Sequence, residues 1–224
     1  MLKRIVMVAV VLVGGVVAGA EEKAAGGAGG VVVDKEKKTV TVPAKVAARK
    51  INDPRYTEIY PIEAVATAPF PRGQKAHETV VTIECKPSEV HAALESLGLK
   101  PGHPAEGEDG VAEGPEVKVS VVLPGGKTVP IEKTLVDKKT GKAMPALHWK
   151  FCGSAMKQPD PNKPEKVYGA DEAMNLITVF PVTADVVIQS NLTLKDSSLI
   201  KMETNKSVLP PEGTDVKLVI TPAK

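Results

Sequence analysis

Short stretches of alternating apolar and polar residues, separated by glycine and proline, constrain the fold of this chain most strongly. From Val117 to Leu123 every second residue is valine or leucine, and Val216, Leu218 and Ile220 repeat that spacing near the C-terminus. Successive side chains of a β-strand point to opposite faces, so a period of two predicts strands with one buried face. The 19 glycines and 19 prolines break the chain into many such short segments.

The same patterns predict about ten strands along the chain. Charged or Gly/Pro-rich segments between them predict turns, such as residues 35–38 in a hairpin and residues 102–115 in a solvated loop. The predicted strands cover residues 31–33, 39–42, 58–67, 78–85, 117–123, 128–135, 146–151, 174–180, 184–188 and 216–220.

One segment, residues 87–97, has the clear pattern of an amphipathic helix. Pro87 suits its first position and Gly98 its C-terminal cap. Apolar residues recur from Val90 to Leu97 with the spacing i, i+3, i+4 and i+7. Many strands and one helix predict an α+β fold of mostly antiparallel strands, without the βαβ rhythm of a doubly wound sheet.

The first twenty residues have the features of a secretory signal peptide. Lys3 and Arg4 precede an apolar stretch over residues 5–17, and Ala18-Gly19-Ala20 matches the small-x-small pattern of a cleavage site. We expect cleavage after Ala20 and a periplasmic or secreted protein. The alternative is an uncleaved N-terminal anchor. No later segment has the apolar length of a membrane span, so we expect no transmembrane segment after cleavage.

The expected organisation is a signal peptide over residues 1–20, a flexible Gly/Ala tether over 21–30 and one β-rich domain over 31–224. The full chain has 29 basic and 27 acidic residues, and cleavage would remove two basic ones, leaving no net formal charge. It also has only seven aromatic residues. A protein without a basic block or a broad stacking surface is a poor candidate for nucleic-acid binding. We therefore expect no nucleic-acid partner.

Cys85 and Cys152 are the only two cysteines of the chain. In an oxidising compartment an even pair favours a disulfide, with two free thiols as the alternative. Together with the histidines they could also supply metal ligands. Their spacing matches no metal motif, however, so we expect neither a metal nor another cofactor.

The four histidines are His77, His91, His103 and His148. We expect His77 and His148 to bond to the backbone, and His91 and His103 to be solvated. Because His77 and Glu78 are neighbours in a predicted strand, their side chains should point to opposite faces. We therefore expect no joint catalytic role for this pair.

Four segments carry a combination of short motifs: Lys75–Val80, Lys86–Leu94, Leu97–Gly102 and Gly141–Ser154, the last with Met144, Pro145, Trp149, Phe151 and Gly153. Together these segments resemble the YdjY-like domain family of secreted proteins from planctomycete-type bacteria. The resemblance covers roughly residues 38–200. It implies the fold and the extracytoplasmic compartment but no activity. The ferredoxin-like label of some members would require about four thiolates per cluster, and this chain has two cysteines.

These features favour a non-catalytic binding or structural module of the bacterial cell envelope, whose partners would be envelope proteins or a second copy. We expect structural roles for His77, Glu78, His91 and Trp149, and no catalytic residue. The alternative is a small secreted hydrolase or a redox or metal-binding protein. Its reactive residues would have to converge in the folded chain, and the candidates are His77, His148, Cys85 and Cys152.

Overall fold

A computed structural model describes residues 30–223, which form 14 β-strands and three α-helices. The predicted signal peptide and most of the predicted tether lie outside these residues. The helices are α1 (Pro87–Ser96), α2 (Gly169–Ala173) and α3 (Leu194–Leu199), with short 3-10 helices at Ala76–Glu78 and Ile131–Thr134. The strands are β1 (Val32–Asp34), β2 (Thr39–Val46), β3 (Ala64–Thr67), β4 (Thr79–Ile83), β5 (Glu116–Val122), β6 (Thr128–Pro130), β7 (Leu135–Asp137), β8 (Trp149–Phe151), β9 (Met156–Lys157), β10 (Val167–Tyr168), β11 (Asn175–Thr178), β12 (Ile188–Ser190), β13 (Met202–Thr204) and β14 (Asp215–Pro222).

Eight of these strands close into a barrel. Their order is β2-β14-β5-β8-β12-β11-β3-β4, and β4 pairs back onto β2 through Ala44 and Ile83. The β11–β12 and β3–β4 pairs are parallel, and the other pairs of the barrel are antiparallel. The prediction of mostly antiparallel strands is confirmed, whereas closure into a barrel was not predicted.

Two long strands, β2 and β5, make the closure possible. One edge of each strand pairs with two different neighbours, one at each end. β14 pairs with most of β2 along one edge, so β1 and β4 occupy the start and the end of the other edge. β5 likewise pairs with β14 on one edge and with β8 and then β6 on the other. β1 and β6 therefore lie beside the barrel as short edge strands, and a two-stranded ribbon of β7 and β13 forms separately.

The alternating pattern places one side of each long strand in the core. Val216, Leu218 and Ile220 of β14 are buried, whereas Asp215 and Lys217 are exposed. The core also contains the bulky side chains of Trp149, Phe151 and Phe180, all nearly inaccessible to solvent. Fully burying a valine, leucine, isoleucine or phenylalanine side chain stabilises a fold by roughly 1.5–3 kcal/mol, so each buried residue of the alternating strands contributes to stability.

Helix α1 forms where the sequence predicts it, but the prediction of a single clear helix is corrected. Pro87 occupies its first turn, Val90 and Leu94 are buried, and Gly98 follows its end with φ +88°. The two additional helices have five and six residues. So few residues complete less than two turns, which is too short for a 3.6-residue period to be visible in the sequence.

Candidate functional site: the Arg49 cluster and its pocket

Arg49 is the buried centre of a polar cluster between β2 and β13. It is only 6% exposed. Its Nε donates to Glu203 Oε1 at 2.8 Å and its Nη2 to Oε2 of the same carboxylate at 3.3 Å. Nη1 donates to the carbonyl oxygen of His77 at 3.1 Å, and Nη2 also donates to the carbonyl of Tyr60. One side chain therefore connects three separate segments of the chain.

Lys75 forms the second half of the cluster. Its Nζ lies 2.7 Å from Glu63 Oε2 and 2.8 Å from Glu78 Oε2. The three side chains are mostly buried, so water screens these ion pairs less than it screens pairs on an open surface. Because one ammonium group bridges both carboxylates, Glu63 and Glu78 are held close to each other.

The prediction that His77 and Glu78 point to opposite faces is wrong. Both residues lie in the 3-10 helix Ala76–Glu78 and not in a strand, and His77 Nε2 is 3.0 Å from Glu78 Oε1. The imidazole packs against the rings of Tyr56 and Tyr60, with centroids 4.4 and 5.2 Å away. Its Nδ1 is buried without a hydrogen-bond partner among the described residues. The backbone carbonyl of His77, and not its ring, makes the bond that ties the loop to Arg49.

The charges of the cluster explain the directions of its pKa shifts. Burial raises the pKa of Glu78, and the neighbouring Glu63 carboxylate adds to that rise despite the opposing Lys75. Burial also disfavours the ionised form of Glu63, but hydrogen bonds from Lys75 and Glu78 outweigh it and lower its pKa. Burial, followed by the positive charge of Lys75, lowers the pKa of His77. The two carboxyl groups therefore retain one proton more readily than two isolated glutamates would.

We expect the variants Glu78→Gln and Glu63→Gln to change the pH dependence of stability in opposite directions. A carboxyl whose pKa is raised by folding contributes stability in acid that is lost as the pH rises through the folded pKa. As the pH falls from about 7 to about 4, the wild type should therefore gain stability relative to Glu78→Gln. Glu63 has a lowered pKa, so its contribution is lost as the pH falls through that folded pKa, and the wild type should lose stability relative to Glu63→Gln below about pH 5. Urea unfolding at several pH values measures both differences in stability. If both differences changed in the same direction with pH, the opposite pKa shifts of Glu63 and Glu78 would be contradicted.

A pocket of about 290 Å³ opens next to Arg49. Apolar side chains form most of its wall, and its polar residues are Arg49, Thr204, Lys206 and Glu212. The volume suits one small molecule or a single side chain of a larger partner. Its lining residues are Val46, Ala47, Arg49, Thr204, Lys206, Leu209, Pro210, Pro211 and Glu212.

The comparison with protein families identifies the chain. The model of the YdjY domain matches residues 31–221, which include the barrel, the ribbon and the Arg49 cluster. The chain belongs to the YdjY domain family. No curated protein and no solved structure matches it significantly. In residues 30–223 of this YdjY domain, no helix has both the length and the apolar character needed to cross a membrane.

The predicted disulfide of the YdjY domain is not formed, because its two cysteines lie in different parts of the core. Cys85 belongs to the main hydrophobic cluster, whereas Cys152 packs in a small separate cluster with Ala112 and Val186. The thiol of Cys152 lies 3.3 Å from the carbonyl oxygen of Val187. Burial raises the pKa of each thiol to about 12. Both cysteines are therefore free and unreactive in the folded domain.

We expect neither cysteine to react with iodoacetamide in the folded protein at neutral pH. After denaturation both should be alkylated even when no reductant is added, because they are free thiols that are buried only in the folded protein. Intact mass spectrometry counts the added groups. The variant Ser207→Cys places a thiol at an exposed position and should be labelled before denaturation. A denatured wild-type protein that remains unlabelled until it is reduced would contradict this result.

The other predicted histidine environments are partly corrected. His91 is not solvated: its side chain is 18% exposed, and its Nδ1 lies 2.7 Å from the Tyr168 hydroxyl. The ring of His148 is exposed and contacts the Glu116 carboxylate at 2.9 Å instead of the backbone. His103 is exposed, as predicted. Trp149 is buried in β8, and its Nε1 has no hydrogen-bond partner in the described part of the chain.

The four residues of the catalytic alternative therefore occupy four different environments. His77 belongs to the Arg49 cluster, His148 faces solvent, and each cysteine has its own apolar surroundings. Within residues 30–223, no group of three or more His, Cys, Asp or Glu side chains is arranged to hold a metal ion. Arg49, Glu63 and Glu203 were not recognised as site residues from the sequence, because they are far apart in the chain and belong to no motif.

Proposed function

We propose that this YdjY domain is a non-catalytic binding module of the bacterial cell envelope, and that the pocket next to Arg49 holds its ligand. The observation that carries the proposal is the pocket itself. It combines apolar walls with a guanidinium group that the surrounding carbonyls and Glu203 hold in one orientation. Such preorganised polar groups in an apolar cavity are typical of ligand sites.

The chemistry of the wall favours a small apolar ligand with a carbonyl or carboxylate group. Val46, Leu209 and Pro210 offer apolar contacts, and the exposed ammonium group of Lys206 offers a partner for an anion. The Arg49 charge is balanced by Glu203, and the other acidic residue of the wall, Glu212, is exposed. The hydrogen bonds of Arg49 use Nε–H, one hydrogen of Nη1 and both hydrogens of Nη2. This leaves one Nη1 hydrogen for an acceptor on the ligand.

The non-catalytic role is supported by the way the titratable groups are used. Lys75, Glu63 and Glu78 bond to one another, and Glu203 bonds to Arg49. A nucleophile needs an adjacent base with free access to substrate. The two thiols have pKa values of about 12 and are buried, which makes them poor nucleophiles.

A titration with N-acetyl-leucine, followed by amide NMR shifts, tests the proposed pocket. We expect the largest shifts at Val46, Ala47 and Leu209, with weaker binding in Lys206→Ala and unchanged binding in the matched surface variant Lys127→Ala. N-acetyl-leucine amide keeps the apolar stem and removes the carboxylate, so it should bind more weakly. Absence of shifts with both compounds, or shifts centred elsewhere, would contradict the proposed ligand class.

Cell fractionation tests the proposed compartment independently. We expect the protein in the extracytoplasmic fraction of its host, with Glu21 as the first residue by mass spectrometry. A soluble intracellular protein that still begins at Met1 would contradict the envelope assignment.

A further inference from the structure

Folding brings together six lysines that are distributed over two segments of the sequence. Residues 133–142 and 201–206 meet in the β7–β13 ribbon, where Met202 pairs with Asp137 and the Lys138 amide donates to the carbonyl of Lys201. The Asn205 side chain also donates to the carbonyl of Lys133 at 3.1 Å. We call this surface the lysine ribbon. All of its lysines are exposed: Lys133, Lys138, Lys139, Lys142, Lys201 and Lys206.

Acidic side chains offset the positive charge of the lysine ribbon only in part. Among the described residues, none of these six lysines forms a salt bridge. The acidic residues in and beside the two segments are fewer than the lysines. Glu132 is buried and Glu203 binds Arg49, whereas Asp137 keeps a charge that interacts with Lys139. The ribbon therefore presents excess positive charge to solvent.

An exposed leucine lies at the edge of this charged surface. Leu199 ends helix α3 and is 74% exposed, the highest value among the exposed large apolar side chains of residues 30–223. α3 has no buried residue, and Lys201 Nζ donates to the carbonyl of Ser197 at 2.7 Å, which links the helix to the ribbon. Removing this exposed leucine side chain from water would be favourable, so it could enter an apolar phase next to the lysines.

We propose that the lysine ribbon and Leu199 bind the surface of an anionic phospholipid bilayer. Several lysines next to an exposed apolar side chain match the two contributions to interfacial binding, which are attraction to anionic headgroups and burial in the acyl boundary. The two ribbon segments contain no aromatic side chain that could stack on nucleic-acid bases. A soluble polyanion would use the lysines but not Leu199. This surface is largely separate from the ligand proposal, since Lys206 is the one lysine of the ribbon that lines the pocket.

Vesicle sedimentation tests the proposal with the full chain purified after export. We expect binding to vesicles that contain phosphatidylglycerol, weak binding to pure phosphatidylcholine, and a decrease with added salt. Each membrane-facing lysine increases the affinity for the vesicles about fivefold. The triple variant Lys138→Gln, Lys139→Gln, Lys142→Gln should therefore bind these vesicles at least about tenfold more weakly than the wild type. The matched triple variant Lys118→Gln, Lys127→Gln, Lys217→Gln removes three other exposed lysines and should bind like the wild type.

The variant Leu199→Ser separates a bilayer from a soluble polyanion. We expect it to weaken vesicle binding severalfold while leaving the affinity for dextran sulfate unchanged. Equal loss in the two triple variants, or equal binding to both types of vesicle, would overturn the proposal. Tight binding to dextran sulfate together with no effect of Leu199→Ser on vesicle binding would also overturn it, and would identify a soluble polyanion as the partner. None of these variants changes a residue that lines the pocket, so the N-acetyl-leucine titration tests the ligand proposal independently.

Discussion

Replacing Arg49 by methionine is expected to lower the free energy of unfolding by about 3 kcal/mol, because it removes one partner of a largely buried ion pair. The Glu203 carboxylate would remain in a protein environment without its cation, and the carbonyls of Tyr60 and His77 would each lose a donor. Urea denaturation followed by circular dichroism measures the difference.

The matched control is Arg55→Met, which breaks an arginine–aspartate pair of similar geometry at the surface. Arg55 is 68% exposed on the side chain and lies 2.8 Å from Asp53, so we expect a change of about 1 kcal/mol or less. The double variant Arg49→Met, Glu203→Leu should be less destabilised than the sum of its single variants, because no unpaired charge remains. Equal unfolding midpoints for Arg49→Met and Arg55→Met would contradict the structural role of the cluster.

Replacing Phe151 by alanine is expected to cost about 3–5 kcal/mol of stability. Phe151 is fully buried in β8, which joins β5 to β12 around the barrel, and its ring packs against His91 with centroids 5.0 Å apart. Only three residues form β8, so the loss of its largest apolar anchor would weaken this connection. Thermal and urea unfolding measure the effect.

Two further variants define the origin of this loss. Phe151→Leu keeps most of the buried volume and should cost about 1 kcal/mol, whereas Leu199→Ala truncates an exposed side chain and should change stability by about 0.5 kcal/mol or less. A Phe151→Ala protein as stable as the Leu199→Ala protein would show that β8 does not depend on this ring for its place in the barrel.

Local features of the fold were predictable from the sequence because local rules decide them. The alternation in β5 and β14, and the proline and glycine at the ends of α1, determine backbone conformation over a few residues. Barrel closure was not predictable in this way. It depends on the pairing of β2 with β4 and on the position of β14 between β2 and β5, which no local pattern encodes.

The candidate site was even less accessible to sequence analysis. His77 and Glu78 were recognised as a suggestive pair, but assigning them to a strand led to the wrong geometry. Arg49 and Glu203 are separated by 154 positions and meet only through the packing of β13 near the end of β2. The basic surface was missed for the same reason, because its lysines come from two segments that are adjacent only after β7 pairs with β13.

The position of β14 determines how early during its synthesis this domain can complete its fold. Residues 215–222 provide backbone partners for β2, near the start of the domain, and for β5, near its middle. Until a ribosome has made those residues, both strands keep an edge of unsatisfied amide and carbonyl groups. The domain must therefore remain non-native until residues 215–222 have been made, although most of its other strands are complete long before that point.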